Sequence, residues 1–169
     1  MASGTPCLKI LRVMPPASSF AYLSRIAGTS TPAESSLVWT FPDSAATYLD
    51  FLVALKGYAA GGLTLKLFWS AAVATNNAVW QAAFRRIADD AEDMDTTAQT
   101  YDFNNSGAVA APSAVGELSY DTITFTDGAD MDSFADGEIA ILRLLRDPAH
   151  ASDSLANTAY LWGLIGYET

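Results

Sequence analysis

The chain has 169 residues, half of them hydrophobic and 17% charged, with 19 acidic against 9 basic side chains and a formal net charge of −10. That length is ample for one domain with a buried core, and the composition excludes both a disordered chain and a helical bundle with charged outer faces. A chain this acidic repels phosphate backbones and shows no basic stripe to reverse the effect, so no nucleic-acid partner is expected.

The longest apolar runs, such as Phe51–Leu55, fall far short of the roughly 20 residues that span a bilayer, so no membrane partner is expected. The first ten residues lack a basic stretch followed by a long apolar run, so no signal peptide is expected and synthesis in a cytoplasm is. Cys7 is the only cysteine, so the fold does not depend on an internal disulfide.

Residues 1–36 differ from the rest of the chain. Residues 9–13 have the composition of one short strand, which Pro15 and Pro16 end because proline lacks the amide a sheet ladder needs. Residues 27–36 are a Gly, Ser, Thr and Pro cluster that reads as an extended linker. Two readings stand: a flexible terminus, or an extended arm that orders on a neighbouring subunit or partner. Eight sizeable apolar residues favour the arm and are its candidate partner-binding set: Leu8, Ile10, Leu11, Val13, Phe20, Tyr22, Leu23 and Ile26.

From residue 37 the pattern changes to alternation. Leu63, Leu65, Leu67 and Trp69 fall on one face of a strand with Thr64, Lys66 and Phe68 on the other. Ala78, Trp80, Ala82 and Phe84 alternate likewise with Val79, Gln81, Ala83 and Arg85. A period of two with aromatics on one face marks a strand between core and solvent. Strands are expected over 37–41, 47–54, 63–70, 78–87, 99–103, 117–126, 138–146 and 159–167. Turn signals divide them at Gly61-Gly62, Asn76-Asn77, Asn104-Asn105-Ser106-Gly107 and Asp127-Gly128. Only 89–97 and 130–135 are expected to hold short helical turns. Strands without long intervening helices cannot make parallel crossovers. The expected fold is therefore all-β: an antiparallel jelly-roll-like β-sandwich of about eight strands over 37–169, preceded by the arm. Its interior is expected to include Leu65, Leu67, Trp69, Trp80, Phe84, Ile123, Phe125, Ile141 and Trp162.

No catalytic constellation stands out. The acidic run from Asp89 to Asp95 is the densest carboxylate cluster, but its spacing is not that of a calcium loop. In Asp132-Ser-Phe134-Ala-Asp136-Gly137, Phe134 occupies a position that must supply oxygen. His150, the single histidine, has Ser152 and Asp153 beside it, but adjacency in one loop does not make a triad. Glu117, Asp121 and Glu138 are the first carboxylates to test as a glycosidase pair, and strand-edge solvation explains them equally well. Trp39, Trp69, Trp80 and Trp162 suit a sugar-stacking platform or, more simply, core filling. The expectation is a protein that is not an enzyme, with no catalytic residue, metal or cofactor.

A run of residues nevertheless carries a resemblance. Tyr58-Ala-Ala-Gly-Gly-Leu-Thr-Leu-Lys-Leu-Phe-Trp69 is followed by Val79-Trp80-Gln-Ala-Ala-Phe84-Arg85-Arg86-Ile87-Ala88-Asp89-Asp90. Next come Ile123-Thr-Phe125-Thr126, Met131-Asp132 and Arg143-Leu-Leu-Arg146-Asp147. This order resembles small jelly-roll virion proteins of tailed bacteriophages, over about residues 45–169. The resemblance implies a structural protein, foremost a capsid decoration or cement protein on the outer surface of the phage head, with a tail or fibre component as near neighbour. It implies the major capsid protein or another virion protein as partner, and it offers no catalytic residue. Self-association as a homotrimer would match the three-fold positions of an icosahedral shell. A carbohydrate-binding adhesion module is the alternative.

Overall fold

The computed structural model describes residues 4–89, 94 and 99–169. Among them are ten strands: β1 (Leu8–Met14), β2 (Tyr22–Ala27), β3 (Ser35–Phe41), β4 (Thr47–Leu55), β5 (Leu63–Ala71), β6 (Asn77–Ile87), β7 (Asn104–Ala110), β8 (Ser119–Phe125), β9 (Ile139–Arg146) and β10 (Ala159–Glu168). They form two five-stranded sheets, ordered β1-β4-β9-β6-β7 and β2-β3-β10-β5-β8, and every strand pairing is antiparallel. Without β1 and β2 the orders become β4-β9-β6-β7 and β3-β10-β5-β8, those of an eight-stranded jelly roll.

The alternation read from the sequence builds the interior. Leu63, Leu65, Leu67 and Trp69 of β5 face Ala78, Trp80, Ala82 and Phe84 of β6 in one buried cluster with Phe41, Ile123, Phe125 and Leu142. Trp80 meets Phe41 edge-on at 5.0 Å and Trp69 at 5.7 Å, and Phe84 meets Phe125 at 4.9 Å. Such edge-to-face pairs add about 0.5–1.5 kcal/mol each beyond their buried area.

Four expectations are corrected. Residues 4–36 do not form a separate arm. β1 zips onto β4 from Leu8↔Leu55 to Met14↔Asp50, and β2 zips onto β3 from Tyr22↔Thr40 to Ala27↔Ser35. The boundary at residue 36 falls inside β3, and the 27–36 cluster is the turn of a hairpin closed by Gly28 N–H donating to Glu34 O at 2.8 Å. Apolar chain does lie along a sheet edge, as the arm reading requires, but the edge belongs to this same chain.

The strand expected at 99–103 lies instead at Asn104–Ala110. The Asn-Asn-Ser-Gly turn signal is spent on a bulge: three steps of β7 from Ala108 to Asn105 face two steps of β6 from Val79 to Gln81. Gly107 takes the left-handed φ of +70° such a bulge uses, and Ser106 Oγ accepts the Trp80 N–H at 3.1 Å. Trp162 leaves the core for a similar reason. A register shift between Leu161 and Gly163 turns its indole to the outer face, where Nε1 donates to Ser70 Oγ at 2.8 Å. Ile141 is buried, yet it lies on the outer face of its sheet rather than in the interior cluster.

Of the expected helical turns, that at 130–135 is a 3-10 turn at Ala129–Met131. The other, at 89–97, lies largely outside the described residues.

Candidate interaction surface

β1 is anchored at its start. Cys7 N–H donates to Gly166 O at 3.0 Å and Cys7 O accepts Lys56 N–H at 2.9 Å, so one residue holds both sheets. Leu8 packs so closely on Gly166 that a Cβ there would lie 2.6 Å from that of Leu8. Cys7 itself is buried, and desolvation, then Glu168, pushes its thiol pKa up to about 11. A thiol this basic carries almost no thiolate at pH 8. Ellman's reagent at pH 8 is therefore expected to leave the native chain unmodified and to titrate one thiol in denaturant; stoichiometric labelling of native protein would show β1 detached.

Beyond Leu8 the first strands are largely uncovered, and Lys9 to Val13 are exposed throughout. Ile10, Leu11, Val13, Phe20, Tyr22 and Leu23 are exposed, and Ile26 is half-buried. Six of the eight residues expected to bind a partner thus have exposed side chains although their backbones are ordered within the chain. Leu37 of β3, 60% exposed, joins them. Sequence reading placed it in a sandwich strand, and only the pairing Arg25↔Leu37 brings it beside β2. The same side carries the exposed cations Lys9, Arg12 and Arg25, none ion-paired among the described residues. Residues 1–42 hold three of the chain's nine basic side chains and a single one of its nineteen acids, Glu34. The first strands are thus a basic, apolar strip on an acidic body.

The opposite side of the sandwich, where β7 and β8 end the two sheets, carries a second apolar group: Val115, Leu118 and Tyr120. Residues 104–125 have no basic side chain and two carboxylates, Glu117 and Asp121. Glu117 accepts Ser113 Oγ–H at 2.6 Å and Ala114 N–H at 3.0 Å, and Asp121 accepts the indole N–H of Trp69 at 2.5 Å. On the outer face beside β8, Tyr120 and Phe68 meet edge-on at 5.2 Å with the Lys66 ammonium 5.0 and 5.8 Å from their centroids.

The remaining candidates have structural work. Arg146, fully buried, donates to Asp153 through Nε at 3.0 Å and Nη2 at 2.9 Å, and to the carbonyls of Leu155 and Asn157. Asp153 is thereby held away from His150, whose Nδ1 accepts the Ser152 N–H at 3.1 Å. Glu138 pairs with Arg86, which holds its carboxyl below the ordinary range. It sits at the start of β9, at the opposite end of the sandwich from Glu117, so these two are not a pair across one cleft. Phe134 is core, 5.7 Å from Phe84, while Asp132 and Asp136 accept the N–H groups of Arg86 and Tyr58. The run from Asp89 to Asp95 lies mostly outside the described residues. Trp69 and Trp80 are buried and Trp39 and Trp162 half-buried, so the tryptophans present no open platform.

No family model matches the chain, and no curated protein matches it in sequence. Among solved structures, TmCBM61 in complex with β-1,4-galactotriose aligns with a TM-score of 0.39 at 9% identity, over 94% of this chain and 88% of that one. The Spr0440 glycoside hydrolase domain, Endo-D from Streptococcus pneumoniae R6, aligns with a TM-score of 0.34 at 11% identity, over 88% of this chain and 21% of that one. This chain therefore spans about a fifth of the latter. At these scores neither likeness bears on ligand or activity.

Proposed function

We propose that this chain is a structural protein of a bacteriophage virion, a decoration protein that stabilises the head by binding across capsid-subunit junctions. The observation that supports it is the basic, apolar strip of β1, β2 and β3: seven large apolar side chains from Ile10 to Leu37, each at least 36% exposed. Scattered exposed apolar residues are ordinary, but seven gathered on two edge strands, their connection and the strand beside one of them mark a surface for another protein. A cement protein acts through buried area and many equivalent sites rather than through chemistry. The acidic remainder suits the outside of a head, away from packaged DNA.

The test is co-sedimentation with virion particles that lack the protein. Purified chain is expected to bind to saturation, and the exposed-site variant Leu11→Glu/Leu23→Glu/Leu37→Glu to stay in the supernatant while remaining folded by circular dichroism. Retention of that variant on particles would remove the strip from the mechanism.

Sugar binding is the second reading, favoured by the exposed Tyr120 beside Phe68, since sugars stack on open aromatic rings. Saturable retention by a polysaccharide gel, lost on Tyr120→Ala, together with no binding to particles, would put it first.

A further inference from the structure

We infer that copies of this chain associate head to tail, the β1–β2 side of one seated on the β7–β8 side of the next. The inference deepens the reading of the β1–β2 strip as an assembly surface and names its occupant: a second copy. Of the twelve large apolar side chains exposed among the described residues, ten lie on these two sides, seven on the first and Val115, Leu118 and Tyr120 on the second. The sides are the two ends of both sheet orders, so one copy cannot cover its own patches.

Charge matches them. The first side brings Lys9, Arg12 and Arg25, with Glu34 as its acid; the second brings the exposed Glu117 and the half-buried Asp121, with Lys66 of β5 over Tyr120 as its cation. Two copies of the first side would oppose like charges, which disfavours a symmetric dimer through β1 and β2. Unlike sides joined head to tail make a heterologous contact, which continues past two copies into a ring or filament. All four strands are sheet edges, so backbone groups are available on both sides as well.

Sedimentation velocity of the full chain, over a concentration series at low salt, tests this. Wild type is expected to pass beyond dimer and to weaken at about 1 M salt, where charge attraction is screened within ~3 Å. Leu23→Glu/Leu37→Glu and Val115→Glu/Leu118→Glu, each at exposed sites, are each expected to sediment as monomers. Mixed in equal amounts, they are expected to form a dimer and stop there, because one intact pair of sides remains between them. Arg12→Glu/Arg25→Glu serves as a second lesion on the first side, expected to weaken association about tenfold or more. A wild type that stays monomeric, or stops at dimer, overturns the inference. So does a mixture of the two variants that stays monomeric while wild type assembles. A monomeric wild type that still saturates particles would sink this inference and leave the proposed function standing.

Discussion

Replacing Trp80 by alanine is expected to cost about 3–5 kcal/mol, a large share of the 5–15 kcal/mol that holds a domain of this size. Trp80 is fully buried where the two sheets face each other, and its ring edge meets both Phe41 and Trp69. Truncation removes both aromatic contacts and leaves a cavity that neighbours anchored on β3 and β5 cannot fill. Phe84→Ala, against Phe125 and Phe134, is expected in the same range. Urea unfolding checks both. A loss below about 1 kcal/mol at either site would mean that these aromatic rings do not pack the interior together.

The second large effect is at Arg146 and Asp153, whose side chains are 0% and 2% exposed. Asp153→Ala leaves a guanidinium buried without its counter-charge, and breaking such a pair costs about 3–5 kcal/mol. The carboxylate also accepts the Val79 N–H at 2.9 Å, so β6 loses a backbone partner at the same time. The double variant Arg146→Met/Asp153→Leu is expected to recover part of that loss, because a well-packed apolar pair carries no desolvation cost. A double variant no better than Asp153→Ala would locate the stabilisation in the carbonyls of the 147–158 loop rather than in the ion pair.

Strands were legible wherever alternation ran unbroken. β4, β5, β6, β9 and β10 begin and end within a residue or two of where the period of two places them. What escaped was placement that depends on partners far along the chain. Pro15 and Pro16 correctly end β1, but nothing local says that its ladder partner is β4, some forty residues on. The Asn-Asn-Ser-Gly segment has turn chemistry, and a bulge uses the same left-handed glycine that a turn does. Trp162 sits in clean alternation until one extra residue reverses its face. The apolar character of the first strands was visible in composition. That their backbone is paired at home while their side chains stay uncovered was not, because exposure is a property of the finished sheets.

The order of the strands also sets when the protein can fold. β9 and β10 are made last of the ten described strands, yet each lies at the centre of its sheet, between β4 and β6 and between β3 and β5. Until they leave the ribosome, β4 has no path to β6 and β3 none to β5, so the emerging chain holds hairpins without a sandwich. Closure of the sandwich therefore waits for β10, with pairings as distant as Pro6 with Tyr167. Topologies dominated by such distant pairings fold in milliseconds to seconds. A ribosome halted before residue 159 would release strands with sticky flanks, which makes the synthesis of β10 a checkpoint for the sandwich.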